Sequence, residues 1–178
     1  ASLENSAYEL RLNGWDRPIL VITSEFAPSD GAIEWARNLC LSDKYKEHVV
    51  IYMTHSYMKC SGFCDNALIQ RENYPLTKKE GNNSGQQIWE KLVSQVPNLR
   101  LVLCGHHAHG ADKDGNDKYE GSIGWRADKN NAGETVYQML YDTQTLGGGW
   151  EGNGGDGWIR ILEFMPDGKT VKVRTYSP

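Results

Sequence analysis

Three short apolar runs, kept apart by stretches of helical periodicity, constrain this chain to a sheet of parallel strands. The runs are Ile19-Leu20-Val21-Ile22-Thr23 after Pro18, Val49-Val50-Ile51-Tyr52-Met53-Thr54, and Leu99-Arg100-Leu101-Val102-Leu103-Cys104. Each is rich in β-branched or large apolar residues, as a buried strand is. After the first, Pro28-Ser29-Asp30-Gly31 marks a turn, and Ala32, Ile33, Ala36, Leu39 and Cys40 recur at helical spacing. After the second, Ser84 and Gln87 have the spacing of a capping box. Ile88, Trp89, Leu92, Val93 and Val96 then make an apolar stripe that Pro97-Asn98 stops. Strand, helix, strand, repeated, is a parallel crossover.

The remaining chain reads differently. Residues 56–85 are polar with no sustained period, and are expected to form a long surface loop. Residues 135–141 and 158–164 alternate apolar and polar side chains across a glycine-rich interval, and Pro166-Asp167-Gly168 turns into a last strand at 170–176. The C-terminal third is therefore expected as an antiparallel meander. The fold class expected is α/β with α+β character, a layered sandwich, in one domain over residues 1–178.

Composition removes several function classes. A formal charge of −4 with no basic stripe argues against nucleic-acid binding. No apolar run approaches the roughly 18 residues of a membrane span. Four cysteines are too few for a disulfide framework. Cys40 and Cys104 fall at core positions, while Cys60 and Cys64 flank a polar loop and suit a local disulfide, which narrowly favours an extracytoplasmic location, secreted or periplasmic. Acidic residues from Asp112 to Asp117 suggest a calcium loop, but the glycine, Gly115, falls between the third and fifth positions and not at the sixth, and Ile123 stands where the twelfth-position glutamate belongs.

The second and third runs end in histidine. His55 follows Met53-Thr54, and Gly105-His106-His107-Ala108-His109 follows Cys104, so three of the five histidines lie past one strand. Ligands in open α/β sheets collect beyond the carboxyl ends of the strands. Neutral imidazole is the commonest protein ligand of transition metals. The other conspicuous residues have plainer readings: His48 as a solvated residue before a strand, Asp156 as a turn carboxylate, Arg160 as a strand-face guanidinium, Trp89 and Trp158 as core.

In order and spacing, these blocks resemble the C-terminal half of the calcineurin-like metallophosphoesterases. The resemblance runs through Ser24-Glu25-Phe26-Ala27-Pro28 with Trp35-Ala36, Met53-Thr54-His55-Ser56-Tyr57, Leu103-Cys104-Gly105-His106, and Gly154-Gly155-Asp156-Gly157-Trp158-Ile159-Arg160 on to Thr175-Tyr176-Ser177-Pro178. That family carries Asp-x-His, Gly-Asp-x-x-Asp and Gly-Asn-His before an isolated His and a final Gly-His-x-His. The first three motifs are absent here, and Asn5-Ser6-Ala7-Tyr8 falls where the chain shortly after the third would lie.

The resemblance implies part of an αββα fold and a phosphomonoesterase or phosphodiesterase with two divalent metals, zinc, manganese or iron. It makes His55 the isolated histidine and His106 a second ligand, the residue on which catalysis is placed. Ala108 stands where the final histidine belongs. Three alternatives follow: His109 reaches in through a bulge, His107 and His109 act as the pair, or the first metal is held differently. The implied substrate is a small phosphorylated molecule. The isolated chain is expected to be a poor catalyst and to self-associate through the surface that an upstream half would cover. The rival reading is a non-catalytic β-rich module that binds carbohydrate or protein.

Overall fold

The computed structural model describes residues 4–60, 62–71, 81–107, 121–146 and 154–178. It is a mixed α/β structure built mostly of strands. Eleven strands and two α-helices are described: β1 (Ser6–Leu10), β2 (Ile19–Thr23), α1 (Asp30–Leu41), β3 (Val49–Met53), β4 (Met58–Lys59), β5 (Phe63–Asp65), β6 (Leu68–Ile69), α2 (Gly85–Lys91), β7 (Leu99–Cys104), β8 (Ser122–Lys129), β9 (Thr135–Asp142), β10 (Ile159–Phe164) and β11 (Val171–Tyr176). Seven strands form one sheet in the order β1-β2-β3-β7-β9-β8-β5. Strands β2, β3, β7 and β9 run parallel at its centre. Strands β10 and β11 form a separate antiparallel hairpin.

Both helices cover the same face of the sheet. Successive right-handed crossovers that step in one direction, from β2 to β3 to β7, put each helix on the same side. Alternation along the strands then sorts the side chains. Leu20, Ile22, Val50, Tyr52 and Val102 join Ile33, Ala36 and Cys40 of α1 and Ile88 of α2 in one core cluster. Ile19, Ile51 and Leu101, one residue out of step, form a second, smaller cluster on the opposite face with Leu12, Trp15, Leu162 and Phe164. The hairpin packs there, with Trp15 and Phe164 edge to face at 5.3 Å.

The helix starts follow their local sequence. Ser29 caps α1 by accepting from the Ala32 N–H. Ser84 and Gln87 make both halves of the capping box that opens α2. This helix ends at Lys91, before Pro97, because a 3-10 turn over Val93–Gln95 takes up the last of the apolar stripe. Gly85 is needed where it stands: a Cβ there would come within 2.0 Å of the Tyr57 carbonyl oxygen.

Four expectations are corrected. Residues 56–85 are more than a surface loop, since they contain β4, β5 and β6, with Tyr57, Met58, Cys60, Ala67 and Ile69 buried in the main core. These segments are too short to show a period, but they bury apolar side chains under the sheet edge. The C-terminal third is not one meander: β9 lies between β7 and β8, parallel to β7, and only β10 and β11 continue as a hairpin. His48 is 5% exposed, its ring against Tyr45, not solvated. It sits at the opposite end of β3 from His55. Trp158, expected in the core, is 38% exposed.

Candidate functional site

The parallel ladder continues beyond the named strands and fixes where the histidines emerge. The Ser24 N–H donates to the Met53 carbonyl, Thr54 N–H to Leu103, and Gly105 N–H to His55, at 3.0, 3.1 and 3.0 Å. Three chain ends, after β2, β3 and β7, are thereby held side by side. His55 and His106 meet there, with the His55 Nε2 3.0 Å from the His106 Nδ1. Phe26, delivered by the end of β2, packs edge-on against both rings at 5.3 and 4.9 Å.

Backbone strain gathers at the same point. His106 has φ +68° and Ala27, next to Phe26, has φ +48°. Such conformations disfavour residues with a Cβ, cost on the order of 1–3 kcal/mol each, and concentrate at functional sites. In His106 the left-handed turn points the imidazole back at His55 instead of onward along the strand.

Electrostatics favour the ligand form of the imidazole. Burial holds the His106 pKa below the ordinary value, and the neighbouring His55 and His107 push it the same way, against the opposing field of Asp142. A neutral ring offers a lone pair to a metal. The two rings share a hydrogen bond at that distance; metal–nitrogen bonds of about 2.0–2.1 Å meeting near a right angle also span about 3 Å, so the pair has room for one ion in place of the shared proton. The set is short, however. Among the described residues no third His, Cys, Asp or Glu joins this pair to make a metal-holding group. Cys104 is nearby, but burial pushes its thiol up to about 12, so it stays protonated.

The other predicted residues separate. His107 turns away, its Nδ1 2.8 Å from the carbonyl oxygen of Cys60. That carbonyl also accepts from the Ser122 hydroxyl, and Cys60 is bonded to Cys64, as its spacing suggested. His107 thus belongs to a clamp on the 60–64 turn, and acts on His106 through its charge. His109 and Ala108 lie outside the described residues.

A cleft of about 460 Å³ adjoins the histidine pair. Met53, Leu103, Met139 and Leu162 make it largely apolar, while Ser24, Thr54, His55, Tyr141 and Arg160 supply polar atoms. Sequence reasoning missed Tyr141 and Asp142, because nothing in the 135–142 run reveals that β9 is parallel to β7 and ends beside it. It also gave Arg160 the plainer of two readings. The alternation that marked β10 as a strand does not tell which layer the strand joins.

No model of a protein family matches this chain, and no solved structure matches it. It is similar to an uncharacterized protein, YvnB, of Bacillus subtilis (strain 168), with 33% identity over 112 residues. The match covers 63% of this chain and only 8% of that much longer protein.

Proposed function

We propose that this chain carries part of the catalytic centre of a metal-dependent phosphoesterase of the calcineurin-like type. The observation that supports it is the His55–His106 pair, two imidazole nitrogens 3.0 Å apart at the carboxyl ends of adjacent parallel strands. His55 and His106 would hold one divalent transition metal, zinc, manganese or iron, with the remaining donors, and the second metal of a dinuclear centre, supplied from outside the described residues. The metal would polarise a phosphoryl oxygen and lower the pKa of bound water.

The protein's own contribution is placement. Gly105 N–H bonded to the His55 carbonyl couples the two histidine-bearing turns, and Phe26 shields both rings on one side. Burial favours the neutral form of His106, the form that binds a metal. The apolar cleft beside the pair accommodates the organic part of a small phosphorylated substrate. The Cys60–Cys64 disulfide suits a secreted or periplasmic protein. Self-association is part of the same reading, since Ile159, Ile161 and Val173 of the hairpin are each more than 40% exposed.

The test is hydrolysis of an aryl phosphodiester by the longest protein that carries this chain, with manganese or zinc added. We expect turnover that chelation abolishes and that His106→Ala reduces at least 100-fold. Absence of turnover together with absence of metal uptake would reject the proposal. A second reading, a non-catalytic binding module, draws on Phe63 at 74% and Trp125 at 48% exposure on the neighbouring strands β5 and β8. It would be supported by saccharide binding that Trp125→Ala removes while metal binding stays nil.

A further inference from the structure

Arg160 differs from most arginines of this fold. Arg11, Arg100, Arg126 and Arg174 each have a carboxylate oxygen within 3.2 Å. Arg160 is half-buried, and among the described residues no carboxylate lies within ion-pair distance of it. Its guanidinium is fixed all the same. Nε donates to the Thr175 hydroxyl of β11 at 3.0 Å, and the guanidinium carbon lies 4.3 Å from the centre of the Tyr141 ring. Among the described residues, its remaining nitrogens find no hydrogen-bond acceptor while the head group is held in place.

The tyrosine beside it carries a second unmet donor. The Tyr141 hydroxyl is buried, and among the described residues it has no hydrogen-bond partner. A buried polar atom left unpaired costs about 1–3 kcal/mol and calls for an explanation. Both side chains line the cleft that contains His55. A guanidinium with no carboxylate partner and a tyrosine whose buried hydroxyl has no acceptor, both among the described residues, therefore belong to the lining of one cleft. One kind of ligand satisfies both: an anion with several acceptor oxygens, which a guanidinium fork binds through two parallel bonds.

We infer that Arg160 and Tyr141 form an oxyanion subsite that grips the phosphoryl group of the ligand beside the histidine pair. Arg160 supplies charge and two N–H donors. Tyr141 supplies one O–H donor, and Thr175 positions the guanidinium. The inference deepens the phosphoesterase reading and rests on it for the choice of phosphate among oxyanions. The subsite itself needs no metal.

Calorimetric titration of inorganic phosphate into the protein in the presence of EDTA tests it. Wild type should bind, and Arg160→Gln should bind about tenfold or more weakly, the loss of charge-assisted hydrogen bonds. Arg160→Lys, which keeps the charge without the fork, should fall between. Tyr141→Phe removes one unpaired hydroxyl and nothing that packs, so it should melt no lower than wild type while binding phosphate a few-fold more weakly. If His55→Ala leaves metal uptake unchanged while the Arg160 and Tyr141 effects persist, the metal reading fails and the subsite stands. Undetectable phosphate binding by wild type, or affinities for Arg160→Gln and Tyr141→Phe equal to wild type, would overturn the subsite.

Discussion

The two faces of the central sheet are built from the same strands and treated differently. On the helix side, Leu20, Ile22, Val50, Leu99 and Val102 have no measurable exposure. On the hairpin side, a much smaller buried set is bordered by Met53 at 38% exposure and by a hairpin whose outer residues face solvent. Among the described residues, two helices and the segments 56–60 and 62–71 cover the first face, whereas the hairpin with Leu12 and Trp15 partly covers the second. The open face holds the cleft, with Arg160 and Tyr141 along it and His55 beside it. Among the described residues, one side of the sheet is closely packed and the other carries the cleft.

That division gives the largest expected effect. Leu20→Ala, at a sealed position, should destabilise by about 2–5 kcal/mol because the packed surroundings cannot collapse into the void. Leu162→Ala, partly buried in the hairpin layer, should cost less than about 2 kcal/mol and leave the sheet intact. Urea denaturation of both variants measures the contrast; equal losses would mean that the two faces are equally packed.

A smaller effect belongs to the clamp that diverts His107. Replacing Cys60 and Cys64 by serine opens a loop only a few residues long, which by chain entropy is worth about 2 kcal/mol. The same change should free His107 from the Cys60 carbonyl. Thermal melts with and without reductant check the first point, and nitrogen chemical shifts of the His107 ring check the second. An unchanged His107 signal would show that the disulfide does not hold it.

Least in size is the pH response of the site. His106 has a depressed pKa in the folded protein, so the unfolded chain binds its proton first as pH falls. Its contribution is therefore complete above the ordinary histidine value near 6.5, and stability declines from there down to the lower folded-state pKa. In His106→Gln that slope should be shallower. Denaturation midpoints at several pH values between roughly 7.5 and 5 decide, and an identical slope would deny that burial sets the protonation of His106.

Strands β2, β3 and β7 were legible in the sequence because each is an apolar run and each crossover between them a helix with its own cap. Ser84 and Gln87 announce α2, and the structure forms both of their bonds. The edges were less legible. Strands β4 and β6 have two residues each, too few to show a period, and β9 is placed by its partner, not by its own alternation. The site divided in the same way. His55 and His106 stand at strand ends that the sequence marks, and the structure brings them together. Arg160 and Tyr141 meet through the docking of a hairpin onto a sheet, a long-range event that leaves no local signature. His107, which the sequence offered only in one alternative paired with His109, is turned away from the site by the left-handed backbone of His106 and by its bond to a backbone carbonyl.

The central claim is that His55 and His106, and not His107, offer the metal-binding nitrogens of the described site. Direct titration of zinc or manganese into wild type, His55→Ala, His106→Ala and His107→Ala tests it. The account predicts a loss of roughly tenfold or more in affinity for the first two variants, at least as large as for a residue that only supports a ligand, and little change for His107→Ala. Wild-type affinity in His55→Ala and His106→Ala, or a loss confined to His107→Ala, would contradict it.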